Sequence, residues 1–144
     1  MNRSAELERL VRFYETIDAA TLSIRLAAVY APDAHFKDPF NEVQGRDAIE
    51  RIFAHMFHQV VDPRFAVVTG VQQQNQAFVT WEFRFRMKRF STELQCIRGA
   101  SHLVFDGAGA VQLHRDYWDA AEELYEKLPL LGALMRMLKR AAAR

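Results

Sequence analysis

The pattern that most limits how this chain folds lies between Ala77 and Met87. Ala77, Val79, Trp81, Phe83, Phe85 and Met87 occupy every second position, and Thr80, Glu82, Arg84, Arg86 and Lys88 form the polar row between and after them. A period of two puts one row on each face of an extended chain. The segment is therefore predicted as a strand, aromatic on one face and charged on the other, in a sheet covered on one side only. Phe65, Val67, Thr69 and Val71 alternate in the same way before it. Another strand follows from about Thr92 to Phe105, and the turn Asp106-Gly107-Ala108-Gly109 leads into a last one over Val111–Trp118. Strands joined by such short turns pair antiparallel, which excludes repeated βα units.

The first third of the chain supplies a cover for the apolar face. Leu7, Leu10, Val11, Tyr14 and Ile17 recur at helical spacing behind Ser4, a good N-cap. Thr21 starts a second helix carrying Leu22, Leu26, Val29 and Tyr30, and Ala31-Pro32-Asp33 ends it. His35–Asp38 reads as a short extended piece stopped by Pro39. After Gly45 a third helix carries Ile49, Ile52, Phe53, Met56 and Phe57, and Asp62-Pro63 closes it. Helical pattern returns over Ala120–Leu128, and Pro129 begins a last, basic helix. The order ααβαββββ plus a C-terminal helix predicts an α+β fold, a cone in which three helices and a curved antiparallel sheet enclose a pocket. Residues 1–128 form its body, and 129–144 are a basic amphipathic helix of the same domain.

Composition narrows the function classes. Half the residues are hydrophobic and 26% charged, which excludes a disordered chain. The net charge of +1 argues against a nucleic-acid binder. That near-zero value is a cancellation: Arg136, Lys139, Arg140 and Arg144 raise it from −3 over residues 1–128. A single cysteine, Cys96, excludes an intrachain disulfide and a Cys-rich zinc site. Residues 1–10 lack an apolar leader, and no apolar run approaches the ~20 residues of a membrane helix. The expectation is a soluble cytoplasmic protein. His35, His55, His58 and His102 show no metal-ligand spacing with acids, and no phosphate-binding glycine loop is present, so neither metal nor cofactor is expected.

Two stretches carry a family resemblance. Tyr30-Ala31-Pro32-Asp33-Ala34-His35-Phe36-Lys37-Asp38-Pro39, followed by Gly45-Arg46-Asp47-Ala48-Ile49, is similar to an "F/Y-x-x-D-A-x-F-x-D-P … G-x-x-A-I" segment. Phe105-Asp106-Gly107 with Val111 and His114-Arg115-Asp116 is similar to "F-x-D-G-K-I-V-x-H-x-D". The chain thereby resembles the nuclear transport factor 2-like superfamily, in particular its SnoaL-like and ketosteroid isomerase-like members, from about Leu7 to Asp119.

The resemblance implies candidate roles. Asp38 matches the proton-moving aspartate of ketosteroid isomerases, with Phe36 and Phe40 as its apolar wall. The alternative is a turn aspartate holding backbone N–H groups. Tyr14 matches their oxyanion donor; a core tyrosine is the other reading. Ser101 stands where those enzymes keep a protonated acid, and a hydroxyl is the weaker donor. Asp116 matches the acid/base of SnoaL-type cyclases, with His114 beside it. Alternation leaves two registers for the last strand: Gln112, His114, Asp116 and Trp118 inward, or Val111, Leu113, Arg115 and Tyr117. The second is more apolar, and the resemblance favours the first. Tyr30, Phe36, Phe53, Trp81, Phe83 and Trp118 are the expected ligand wall.

Together these readings predict a protein that binds an apolar, carbonyl-bearing small molecule. As an enzyme it would be a cofactor-independent isomerase or cyclase; otherwise it is a ligand-binding or dimeric assembly module. A homodimer is expected through the sheet, with Arg84, Arg86, Lys88 and Arg89 on its outer face. In the last helix, Leu130, Leu131, Leu134, Met135 and Leu138 alternate with the basic residues. Packing over the cavity mouth or dimer seam is the favoured reading, and contact with an anionic membrane or a protein the other.

Overall fold

The computed structural model describes residues 4–88, 93–123 and 129–143, with only the backbone of 129–132 and 135. Helices α1 (Ala5–Glu15) and α2 (Leu22–Val29) lead into strands β1 (Tyr30–Lys37) and β2 (Glu42–Gln44). Helix α3 (Arg46–Gln59) precedes the long strands β3 (Val60–Gln73), β4 (Gln76–Met87), β5 (Leu94–Phe105) and β6 (Val111–Tyr117). Helices α4 (Ala120–Glu123) and α5 (Pro129–Ala142) end the described chain. The sheet order is β2-β1-β6-β5-β4-β3. Neighbours run antiparallel except β1 and β6, which are parallel. This is the α+β cone expected from the pattern, a curved open sheet with helices over its concave face.

The local signals act as read at several points. The Ser4 hydroxyl accepts from Leu7 N at 3.2 Å and caps α1, whose Leu7, Leu10, Val11, Phe13 and Tyr14 are buried. In β4, Ala77, Val79, Trp81, Phe83 and Phe85 are all buried, while Thr80, Arg84 and Arg86 are exposed. The β5–β6 turn closes on Asp106, whose carboxylate accepts from Ala108 N and Ala110 N at 2.9 and 3.0 Å. Gly109 takes φ +82° there, a conformation glycine adopts without a Cβ clash.

Other signals act differently. Asp62-Pro63 does not close α3; the helix ends at Gln59, and Asp62, at φ +51°, interrupts the β3–β4 ladder between Val61 and Arg64. Tyr30 and Pro32 belong to β1, which begins where α2 stops, and β2 carried no alternation long enough to predict it. Lys88 continues the polar row of β4 but turns to the concave side, where its Nζ donates to the His58 carbonyl. Arg89 and the expected helix beyond Glu123 lie outside the described residues. Helix α5 forms, with Leu134, Met137 and Leu138 exposed. Among the described residues no helix is long and apolar enough to cross a membrane.

Candidate functional site

The inner row of the sheet is packed solid at one end and hollow at the other. A cavity of about 1050 Å³ opens between α3 and the concave face, just above the roughly 300–1,000 Å³ typical of small-molecule sites. Phe36, Phe53, Phe65, Phe83, Phe85 and Ile97 wall it. Ile52 and Met56 pack against the core half-buried and also present apolar surface to the void. Trp118 and the exposed Phe40 meet edge to face at the mouth, ring centroids 5.5 Å apart.

The cavity ends on a polar cluster. The last strand reaches it by a bulge: Val104 pairs with Leu113 but Phe105 pairs with Val111, so Gln112 is an extra residue. Val111 is buried on one side of that residue, and on the other side His114, 2% exposed, faces the same interior. The strand thus takes Val111 from one expected register and His114, Asp116 and Trp118 from the other, while Gln112 is exposed.

Hydrogen-bond chemistry assigns a direction to this cluster. Trp81 Nε1–H, a pure donor, gives to Ser101 Oγ at 2.8 Å. The Ser101 hydroxyl donates to Asp116 Oδ1 at 2.5 Å. His114 Nε2 reaches the same Oδ1 at 2.5 Å, so the proton between them belongs to Nε2 when Asp116 is ionised. Nδ1 then accepts from the Tyr30 hydroxyl at 2.7 Å, and Tyr14 Oη, lying 2.9 and 3.2 Å from the two ring nitrogens, donates to Tyr30 Oη at 3.3 Å. Burial first, and then the charge of Asp116, push the Tyr30 phenol up. Burial, followed by Tyr30 and Asp116, holds the Tyr14 phenol well above the ordinary tyrosine range. Both are neutral donors at any physiological pH. Among the described residues no hydrogen bond reaches Asp116 Oδ2.

The structure therefore brings together four of the five expected catalytic residues: Tyr14, Ser101, His114 and Asp116 line one end of the cavity. Asp38 stands apart at the mouth. Its Oδ1 accepts from Phe40 N at 2.8 Å and Asn41 N at 2.6 Å, and the Asn41 amide spans both oxygens at 3.1 Å. That is the turn role. Ser101 commits its proton to Asp116. Of the expected ligand wall, Phe36, Phe53, Trp81, Phe83 and Trp118 line the cavity, but Tyr30 does not. It lies behind His114, stacked on the imidazole at 5.9 Å between centroids.

Sequence reasoning missed the tie from Trp81 to Ser101. Its trace is Gly99, the cross-strand partner of Trp81: a Cβ there would lie 2.6 Å from the indole carbons, so only glycine leaves room for the ring. The cations Arg51 and Lys88 at the mouth were also missed as lining residues.

Comparison with known proteins agrees with this architecture. The chain superposes on a hypothetical protein of ketosteroid isomerase-like fold from Catenulispora acidiphila DSM 44928, solved with trimethylamine (TM-score 0.72, 13% identity, 85% of this chain and 92% of that one). A nuclear transport factor 2-like protein of unknown function from Burkholderia pseudomallei K96243 gives TM-score 0.72 at 17% identity, over 83% and 95% of the two chains. A proposed SnoaL-like polyketide cyclase from Jannaschia sp. CCS1 gives 0.69 at 12%, over 85% and 93%. Identities this low speak to the fold alone. No curated protein matches the chain at a significant level. The SnoaL-like domain model matches residues 10–114, from the first helix to the histidine of the polar cluster. With that match over most of the body, the chain belongs to the SnoaL-like domain family, and it shares the cone fold of these nuclear transport factor 2-like structures.

Proposed function

We propose that this protein binds an apolar, carbonyl-bearing molecule in the cone and moves a proton on it without a cofactor, as an isomerase or cyclase does. One observation carries the reading. Asp116 lines the cavity with Oδ1 fixed by Ser101 and His114 and with Oδ2 unengaged among the described residues. A carboxylate held this way is oriented as a base and retains a free oxygen for a substrate C–H.

The step balances within the site. Oδ2 takes a proton from the carbon next to the ligand's carbonyl, and the C–H electron pair moves onto the carbonyl oxygen as an enolate. Tyr14 stabilises that oxygen by turning its O–H from Tyr30 Oη to the ligand, while Tyr30 keeps Nδ1 satisfied. One such donor is typically worth about 3 kcal/mol of transition-state stabilisation. Where a C=C double bond is conjugated with the enolate, Oδ2 returns the proton at the far carbon, giving isomerisation; otherwise the enolate carbon attacks a second carbonyl of the same ligand and the new alkoxide takes the proton back from Oδ2, giving ring closure. Ser101, His114 and Tyr30 act as positioning residues. Structural neighbours described as polyketide cyclases fit a substrate of this class.

Deuterium exchange into 1-tetralone tests the reading. Incubated in D2O, the protein is expected to speed loss of the α-proton NMR signal, and Asp116→Asn to remove that effect. Asp38→Asn should leave it within about twofold, since its carboxylate serves a turn. No exchange despite 1:1 binding of an apolar probe would favour a non-catalytic ligand binder.

We further propose that the protein is a cytoplasmic homodimer joined through the convex face of the sheet. Val71, Phe78 and Tyr117 are each about half exposed there, and Cys96 has no second cysteine to pair with in its own chain. Light scattering at micromolar concentration that returns a monomer would remove the dimer.

A further inference from the structure

We infer that the cavity mouth is an anion site, where Arg51 and His55 of α3 receive a carboxylate or phosphate carried at one end of an otherwise apolar ligand. This rests on the pocket-binding reading above and goes beyond it by fixing the chemistry of the ligand's outer end. Arg51, His55 and His58 lie at i, i+4 and i+7, on one face of α3, and all three line the cavity. They are exposed, whereas Ile52 and Met56, which line it from the same helix, are half-buried. The helix thus offers an apolar stripe to the interior and a basic one to the rim.

The cations lining the rim, Arg51 and Lys88, outnumber its one carboxylate, Asp38. Among the described residues no ion pair or hydrogen bond occupies the Arg51 guanidinium or the His55 ring. The carboxylates lining the cavity are Asp38, which its turn holds through three N–H groups, and Asp116 in the inner cluster. The last carbonyls of a helix carry partial negative charge, which would repel an anion. Lys88 answers that end of α3 by donating to the His58 carbonyl, and its ammonium adds to the Arg51 guanidinium at the opening.

The cavity is accordingly built for an amphipathic molecule. Its aromatic walls take the apolar body, its inner cluster meets a carbonyl, and its rim meets an anion. The α3 residues lining the cavity run from Ala48 to Gln59, a rise of about 16 Å.

Displacement of N-phenyl-1-naphthylamine, a neutral fluorescent probe, tests this with decanoate, decyl phosphate and decanol as competitors. Wild-type protein at low ionic strength is expected to prefer one or both anions over decanol by about tenfold; which anion wins identifies the headgroup. Arg51→Gln should erase most of that preference while leaving probe and decanol affinities within about twofold, and 0.5 M NaCl should weaken the anions alone. Decanol competing as well as both anions, or an anion preference that survives Arg51→Gln, would overturn the inference and leave the pocket reading standing. Failure of the probe to bind at all would overturn both.

Discussion

One strand face serves two ends of this molecule that behave oppositely. Toward the β3–β4 turn, Ala77 and Val79 meet Leu103, Phe105 and Val111, and with Leu7 and Leu10 of α1 they leave nothing exposed beyond a few per cent. Toward the other end of β4, Phe83 and Phe85 carry the same alternation but face the void, across from Ile52 and Met56. The residue types scarcely differ. The placement of the helices does: α1 lies on the filled half, and α3 stands off the hollow half. Apolar periodicity specifies a face to be kept from bulk water, and a ligand can cover it as well as a helix can. The polar cluster sits where the two ends meet, buried enough to order its protons and open enough to reach a ligand.

The comparison can be broken most severely at Asp116. Asp116→Asn is expected to cut proton transfer by about 10²–10⁴ while the affinity for N-phenyl-1-naphthylamine stays within twofold. Equal losses in both would mean the residue is structural. Core substitutions come next. Leu10→Ala at the filled end should cost about 2–5 kcal/mol in denaturant unfolding, because a rigid cavity is left behind. Ile52→Ala at the hollow end should cost about 1 kcal/mol, because the space already exists. Similar losses would show that the hollow end closes in solution. Gly99→Ala is expected to cost about 1–3 kcal/mol, because the new methyl drives Trp81 off Ser101. Its tryptophan emission should shift to the red; an unchanged spectrum would refute that tie.

The smallest effect is a titration. Tyr14 and Tyr30 have folded-state pKa values raised above those of the unfolded chain. Below pH 10 both states hold both protons and the pair adds no pH dependence. Above pH 10 the unfolded chain loses its phenol protons first, so stability falls as pH rises, by about 1.4 kcal/mol per pH unit for each tyrosine. Tyr14→Phe should halve the alkaline slope contributed by this pair. An unaltered slope would place Tyr14 in water rather than in the cluster.

Much of this architecture is readable in the residues themselves. The spacing of Leu7, Leu10, Val11 and Tyr14 and the alternation of Ala77–Met87 belong to local geometry, and each element formed accordingly. The motif residues Tyr14, Ser101, His114 and Asp116 do meet in one cluster. Their roles were less legible, because a role depends on the neighbour. Ser101 reads as an oxyanion donor until Asp116 is found across the ladder from it. Tyr30 reads as ligand wall until the parallel pairing of β1 with β6 sets it behind His114. Asp38 reads as a turn residue ahead of a base, and the Asn41 amide on both its oxygens shows the turn contact.

The sequence by itself determined the main helices and long strands and which face of β4 avoids water, since these follow from periodicity and local backbone preference, and its motifs pointed to the residues of the polar cluster. Only the tertiary structure decided the register of the last strand, the direction of the hydrogen-bond chain and the sign of charge at the mouth. The physical reason is distance along the chain. One extra residue at Gln112 turns His114 toward Tyr14, 100 positions away, and that meeting is settled by the packing of the whole cone rather than by either segment.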